Sequence, residues 1–346
     1  MKKKLLALVL ATAMTLSLAS CGGSKTETPS TGSDNSSASS DNFSAEGATY
    51  KVGICQLVQH PALDAATQGF IDALNEALPG QVEFENKNAS GEANNCGTIV
   101  NGFVSEGVDL IMANATAALT AAASATADIP ILGTSITAYG VALDLDDFDG
   151  TVGGNISGTS DLAPLDQQAA MIQELFPDAK TVGLLYSNSE ANSATPIAEA
   201  KAYLEAKGIS YVEKTGNTND EIMTAASSLV GQVDAVFTPT DNVVMAAAAA
   251  VSETLTKGGI PFYTGADSFV TAGAFATCGV NYTELGTYTA DMALEVLETG
   301  TVPEYHVMDG GIITVNTDTA AMIGKQAEYS CFDSMGTVVE VTTTKD

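Results

Sequence analysis

VDLIMANATA (108–117) and VDAVFTPTDN (233–242) share one construction. Each opens on Val-Asp, continues through β-prone apolar residues and breaks into small hydroxyl and amide side chains. The match extends in both directions. Upstream, KVGIC (51–55) corresponds to TVGLL (181–185); downstream, IPILGT (129–134) corresponds to IPFYTG (260–265). Between these short runs the apolar residues are spaced for helices, as in Leu63, Ala66, Phe70, Ile71 and Leu74. Strands alternating with helices imply βαβ units and parallel sheets. One such passage written twice predicts an α/β protein of two similar lobes with parallel sheets joined by a hinge.

The Gly-rich stretch GTVGGNISGTSD (150–161) lies between the repeats and suits a hinge, with a second crossing expected near CGVNYTELG (278–286). The helix that starts there has no counterpart in the first repeat, and its stripe of Leu285, Ala290, Leu294 and Leu297 is expected to pack on the first lobe. GGIITVN (310–316) then reads as a late strand of the second. These readings place lobe one at 49–158 and 282–305, and lobe two at 159–281 and 306–335.

Ligands of open parallel sheets bind beyond the carboxyl ends of the strands. The residues at those ends are Gln56 and His60, Asn114 and Thr116, and Thr134 and Ser135 in the first repeat. In the second they are Ser189, Glu190, Asn192 and Ser193, then Asp241 and Asn242, then Asp267. Nearly all are hydrogen-bonding groups. Many also stand where helices begin, so capping is the competing role for each. His60 has no nucleophile partner in the sequence and there is no G-x-S-x-G motif, so binding is expected rather than catalysis.

The chain has 346 residues, 13 Lys+Arg against 42 Asp+Glu, and a net charge of −29. All the cations are lysines; arginine is absent. An acidic chain lacking the bidentate phosphate clamp is a poor partner for nucleic acid. Without arginine, a ligand carboxylate must be met by hydroxyls and helix-terminal N–H groups. A ligand ammonium must be met by a carboxylate, with Asp241, Asp267 and Glu190 as candidates. A zwitterionic amino acid fits that set; a nucleoside or sugar is the alternative. No cofactor is expected, nor a metal site, since two histidines cannot support the common zinc patterns.

HPALD (60–64), NATAALTAAASATADIPIL (114–132), SNSEANS (187–193), PTDN (239–242) and the passage from GADS to YTELG (265–286) resemble bacterial ABC-transporter substrate-binding lipoproteins of the tryptophan-binding type. The resemblance runs over most of residues 49–320. It implies a type I periplasmic-binding-protein-like fold and delivery of a small-molecule ligand to an ABC permease with its ATPase. Aromatic amino acids are the ligand class of some members. Carried over by position, it implies ligand contacts at Gln56, His60, Thr116, Ser189, Glu190, Asn192, Ser193, Asp241, Asn242 and Asp267. NASGEANNCGT (88–98) and the acidic loop SITAYGVALDLDDFDG (135–150) depart from the pattern. A ligand-loaded sensor partner of a membrane receptor is the other role such a protein fills.

The N-terminus reads as an address. Lys2, Lys3 and Lys4 precede an apolar run from Leu5 to Leu18, and LASC (18–21) resembles a lipobox. Residues 1–20 are expected to be a signal peptide and Cys21 the lipid-carrying residue. Residues 21–48, rich in Gly, Ser and Thr, are expected to be a flexible tether. The expected product is a monomer anchored by lipid on the extracytoplasmic face of the cell membrane. Cys55 and Cys278 read as small core residues; pairing among Cys55, Cys96, Cys278 and Cys331 stays open.

Overall fold

The computed structural model describes residues 49–146, 148–325 and 328–344. The expected signal peptide, Cys21 and tether lie outside the described residues.

The first repeat runs β1 (Tyr50–Gln56), α1 (Pro61–Ala77), β2 (Val82–Asn88), α2 (Ala93–Glu106), β3 (Leu110–Asn114), α3 (Thr116–Ala125), β4 (Ile131–Ile136), α4 (Tyr139–Ala142) and β5 (Ile156–Ser160). The second runs α5 (Leu165–Leu175), β6 (Thr181–Tyr186), α6 (Ala194–Ala206), β7 (Ser210–Thr215), α7 (Asn219–Leu229), β8 (Ala235–Thr238), α8 (Asn242–Ala246), α9 (Ala248–Lys257), β9 (Phe262–Thr264), α10 (Asp267–Thr271) and β10 (Ala276–Gly279). The chain then returns through α11 (Tyr282–Thr299) and β11 (His306–Val307). It ends on β12 (Ile312–Asn316), α12 (Thr317–Met322) and β13 (Val338–Val341).

Two sheets result, in the orders β11-β5-β4-β3-β1-β2 and β13-β12-β10-β9-β8-β6-β7. The first is parallel throughout. In the second, β12 runs antiparallel to β10 and the other pairs are parallel. This is the two-lobed type I fold.

The repeated glycine of KVGIC and TVGLL has one physical job in both lobes. A Cβ on Gly53 would lie 2.6 Å from the ring of Phe103 on α2, and one on Gly183 would lie 3.0 Å from Leu229 on α7. In each lobe the bare strand lets the second helix set a large side chain flat on the sheet, where Phe103 and Leu229 are buried.

Three strands of chain cross between the sheets, and they fall differently from the sequence boundaries. β5 extends through Ser160, so GTVGGNISGTSD is the approach to and body of a strand that lies between β4 and β11, and the crossing follows it at 161–164. β11 pairs with β5, His306 opposite Thr159, which places 306–307 in the first sheet rather than the second. β13 lies beyond 335 and pairs with β12 in the second sheet. The strand partners decide these positions, and two-residue pairings such as β11 leave no periodicity in the sequence to read.

α11 packs along α1 in the first lobe, with Ala290, Met292, Ala293 and Val296 joining Phe70 and Leu74 in one core. A further apolar cluster bridges the lobes. Ala62 and Ala66 of α1 and Tyr282 and Leu285 of α11 pack with Met245, Ala266, Phe269 and Val280 of the second lobe.

Candidate functional site

The carboxyl ends of both sheets face one cleft, and two side-chain contacts span it. His60 Nε2 lies 3.1 Å from Asn242 Oδ1, and the hydroxyls of Thr137 and Thr240 lie 3.1 Å apart. The cleft is closed, with about 20 Å³ of room, little more than one water molecule's worth.

Of the residues expected at the site, His60, Thr116, Ser135, Asn192, Asp241 and Asn242 line this cavity. The others, Asp267 apart, are drawn back into the lobes. Gln56 donates to Asp64 Oδ1 (2.7 Å) and to Val58 O (2.9 Å), and accepts from Thr67 Oγ1 (2.7 Å). Asn114 donates to Leu63 O (2.8 Å) and Thr67 Oγ1 (2.9 Å). Together these two fasten the first turns of α1 to the ends of β1 and β3. Thr134 is bonded to Thr159 and Thr289 between β4, β5 and α11. Ser189 bonds Ser187, and Ser193 donates to Asp241 Oδ2. Asp267 is exposed and faces a separate surface depression beside Asn281 and Thr314.

Asp241 touches the cavity, but its oxygens are occupied. Oδ1 caps α8 by accepting from Val244 N (2.9 Å), and Oδ2 accepts from Ser187 N and Ser193 Oγ (2.7 Å each). Burial pushes its carboxyl up and these bonds pull it back. The sequence offered no sign of a better-placed carboxylate, Asp161. It follows β5 where the chain first crosses, is 4% exposed and lines the cavity. Its oxygens accept from Thr137 Oγ1 (3.0 Å) and from the Tyr282 hydroxyl (2.7 Å) at the start of α11. Burial raises its pKa, and the bonds from Tyr282 and Thr137 lower it. Thr240 and Ser268, at the strand ends beside Asp241 and Asp267, line the cavity as those positions imply; Thr137, Met245, Phe269 and Tyr282 also line it and were not expected there.

Glu190 sits behind Asn242, whose Nδ2 and backbone N–H both donate to its Oε2, at 2.6 and 3.3 Å. Burial first, then the nearby Asp241, raises Glu190 to about 7. This arrangement fixes the tautomer of His60. Asn242 spends its N–H on Glu190, so its oxygen faces the imidazole and His60 donates from Nε2. Burial lowers the His60 pKa, so the ring is neutral and Nδ1 is left as an acceptor. His60 makes no side-chain cap to α1.

His60 Nδ1, Thr116 Oγ1 and Ser135 Oγ are buried without a hydrogen-bond partner, and all three residues line the cavity. A buried polar atom left unpaired costs about 1–3 kcal/mol, so three on one wall mark a surface built to meet something polar. The backbone agrees. Ala115 (φ 86°) and Ser135 (φ 56°) hold left-handed conformations without being glycine. Ser135 lies at a register irregularity of β4 that turns this strand end. Such strain persists where the fold over-determines it, commonly at binding sites. Ala115 leads into α3, whose first N–H groups have no acceptor within the helix.

Two α/β lobes, three crossings and a closed polar cleft between strand ends define a solute-binding protein that works by enclosing its ligand. The chain belongs to the family of ABC transporter substrate binding proteins, whose pattern it matches over residues 51–327. It is the extracytoplasmic, ligand-collecting component of such a transporter. A tyrosine-binding protein of Clostridioides difficile (strain R20291) is 34% identical over 333 residues, 94% of this chain and 93% of that one. The crystal structure of an ABC domain in complex with L-Trp from Streptococcus pneumonia shares 31% identity and superposes with a TM-score of 0.78, covering 85% of this chain and all (100%) of that one. The ligand-free, open structure of a substrate binding protein with adhesive properties from Clostridium difficile shares more sequence, 35%, but superposes less well at 0.66 over 85% of this chain and 100% of its own. The better match to the complex accords with the contacts that close the cleft here.

Proposed function

We propose that this protein captures an aromatic amino acid, tyrosine or tryptophan, between its lobes and hands it to the transporter's permease. The observation that carries this is the set of three unpartnered buried polar atoms facing a cavity that also holds Asp161. The relatives whose names specify tyrosine and L-Trp support the same ligand class. In this reading the ammonium goes to Asp161 and the carboxylate to Thr116, Ser135 and the start of α3. The ring packs against Leu63, Met245 and Phe269. The closed cleft is too small for an amino acid, so the ligand enters an open form and the lobes shut on it less tightly than on themselves. Residues 1–20 act as a signal peptide, Cys21 carries the lipid, 21–48 is the leash, and the protein works as a monomer.

A thermal-shift screen of the twenty amino acids with representative sugars and nucleosides tests the ligand. Saturation at 100 times Kd stabilises a specific binder by about 2.7 kcal/mol. Tyrosine or tryptophan should raise the melting temperature most; a shift confined to a sugar or nucleoside overturns the proposal. Metabolic lipid labelling of wild type against Cys21→Ala tests the anchor, and equal labelling rejects it.

A further inference from the structure

Four cysteines lie among the described residues. Cys278 and Cys331 sit in the second lobe, Cys278 near Gln167 and Cys331 on a 3-10 turn. Cys55 and Cys96 belong to one core cluster of the first lobe and both are 0% exposed. Cys55 is the penultimate residue of β1; Cys96 is in the first turn of α2, which packs over that strand end. Gly53 of β1 meets Phe103 of α2, a Cβ there falling 2.6 Å from the ring. Cys55 lies two residues further along the same face of β1 and Cys96 two turns earlier on the same face of α2, so the two thiols face each other in this core. Around them the core is apolar, with Leu57, Ala89, Val100 and Phe103.

We propose that Cys55 and Cys96 are a modification site, joined as a disulfide in the exported protein. Two thiols facing each other across one helix–strand packing contact are placed for the approach that the bond requires, and extracytoplasmic compartments allow it to persist. The neighbouring Cys55 thiol holds the Cys96 pKa below the usual thiol value, which makes Cys96 the better nucleophile. The oxidant is a disulfide, either a small molecule or a thiol oxidoreductase in its oxidised form. The Cys96 thiolate attacks one sulfur of that disulfide and releases the other as a thiolate. Cys55 gives up its proton and attacks Cys96 Sγ in the mixed disulfide, expelling the second thiolate. Two thiol protons and two electrons pass in total, and the oxidant leaves as its dithiol. Glu92, Ala93, Asn94 and Asn95, which open α2, are exposed, so fraying of this turn, or folding itself, gives the oxidant access.

The bond staples α2 to β1, the strand that leads directly to Gln56, Leu57 and His60. It fixes the lobe-one wall of the cleft without touching the ligand. The test uses the full chain, refolded with oxidised glutathione or with a phosphine reductant, alkylated under denaturing conditions and digested. The expected product of the oxidised sample is one linked pair of peptides carrying Cys55 and Cys96, about 2 Da lighter than the two separate thiol peptides. Cys278 and Cys331 should be alkylated in both samples. The oxidised wild type should melt about 5 °C or more above the reduced form, and Cys96→Ala should show no such difference. Full alkylation of both residues after oxidation, a glutathione adduct that never resolves, or a link to Cys278 or Cys331 overturns the proposal. The peptide readout on wild type stands even if the variant folds poorly.

Discussion

Asp161 is the residue on which the site turns. Its carboxylate is buried at the cleft, and both of its partners are neutral hydroxyls, Thr137 and Tyr282. A buried charge so held gains most from a ligand cation. Asp161→Asn keeps the shape and removes that attraction. Truncating one side of a buried charge pair costs about 2–5 kcal/mol, so calorimetry with the preferred amino acid should show at least about a tenfold loss. Asp267→Asn, at an exposed position outside the cavity, should bind as wild type does. The reverse pattern would move the cation site to Asp267. Sequence reasoning favoured Asp267 and Asp241 because they stand at strand ends like their neighbours. Asp161 closes a stretch that reads as a polar, Gly-rich hinge, and only the convergence of two crossings brings Tyr282 to it. Gln56, Asn114 and Thr134 show the opposite difficulty. They are chemically indistinguishable from Thr116 and Ser135 in sequence, yet they turn inward to fasten α1, β5 and α11.

Glu190 gives a second residue-level prediction. Its folded pKa, about 7, is above the 4.5 of a free glutamate. The folded state therefore holds the proton longer, and the stability this contributes is full below about pH 4.5 and lost as pH rises through 7. His60 is lowered from 6.5 and acts with the opposite sign, but only below 6.5. Between pH 6.5 and 7.5 the Glu190 effect is exposed, and stability should fall by about 0.5–1 kcal/mol. Glu190→Gln, which can still accept from Asn242, should flatten that slope in thermal melts. An unchanged slope would assign it to other groups.

At the scale of elements, the contact between α1 and α11 joins the first repeat to the helix that has no repeat partner. It is a backbone contact. A Cβ on Gly286 would lie 2.0 Å from Ala66 O, and one on Gly69 would lie 2.4 Å from Thr283 O. A carbonyl in a helix cannot step aside as a side chain can. Gly286→Ala should cost about 2–3 kcal/mol in urea unfolding. Gly97→Ala on α2, where nothing lies within 4 Å, should be neutral or mildly stabilising. Equal effects would mean that helix propensity, not close approach, governs both. The elements themselves were legible because their patterns are local: β-branched runs for β1, β3 and β6, and 3.6-residue spacing for α1. β11 was not legible, because a two-residue strand exists only through its pairing with β5.

The whole molecule rests on one division of labour. The duplicated sheets supply two walls, and three crossings join them. The first wall carries strained backbone and unpaired hydroxyls, while the second brings Asn242, Thr240 and the Met245–Phe269 face against it. The repeat in the sequence revealed the walls but not their contents, since side-chain direction at a strand end depends on bulges and packing that no spacing encodes. The most direct test is a crystal structure of the complex with whichever aromatic amino acid binds most tightly. It should show the ligand in the interlobe cleft, its ammonium about 2.7–3.2 Å from Asp161 and its carboxylate at Thr116 and Ser135, with the lobes slightly wider than here. A ligand bound elsewhere, or one in the cleft that leaves Asp161 bonded only to Thr137 and Tyr282, would contradict the account.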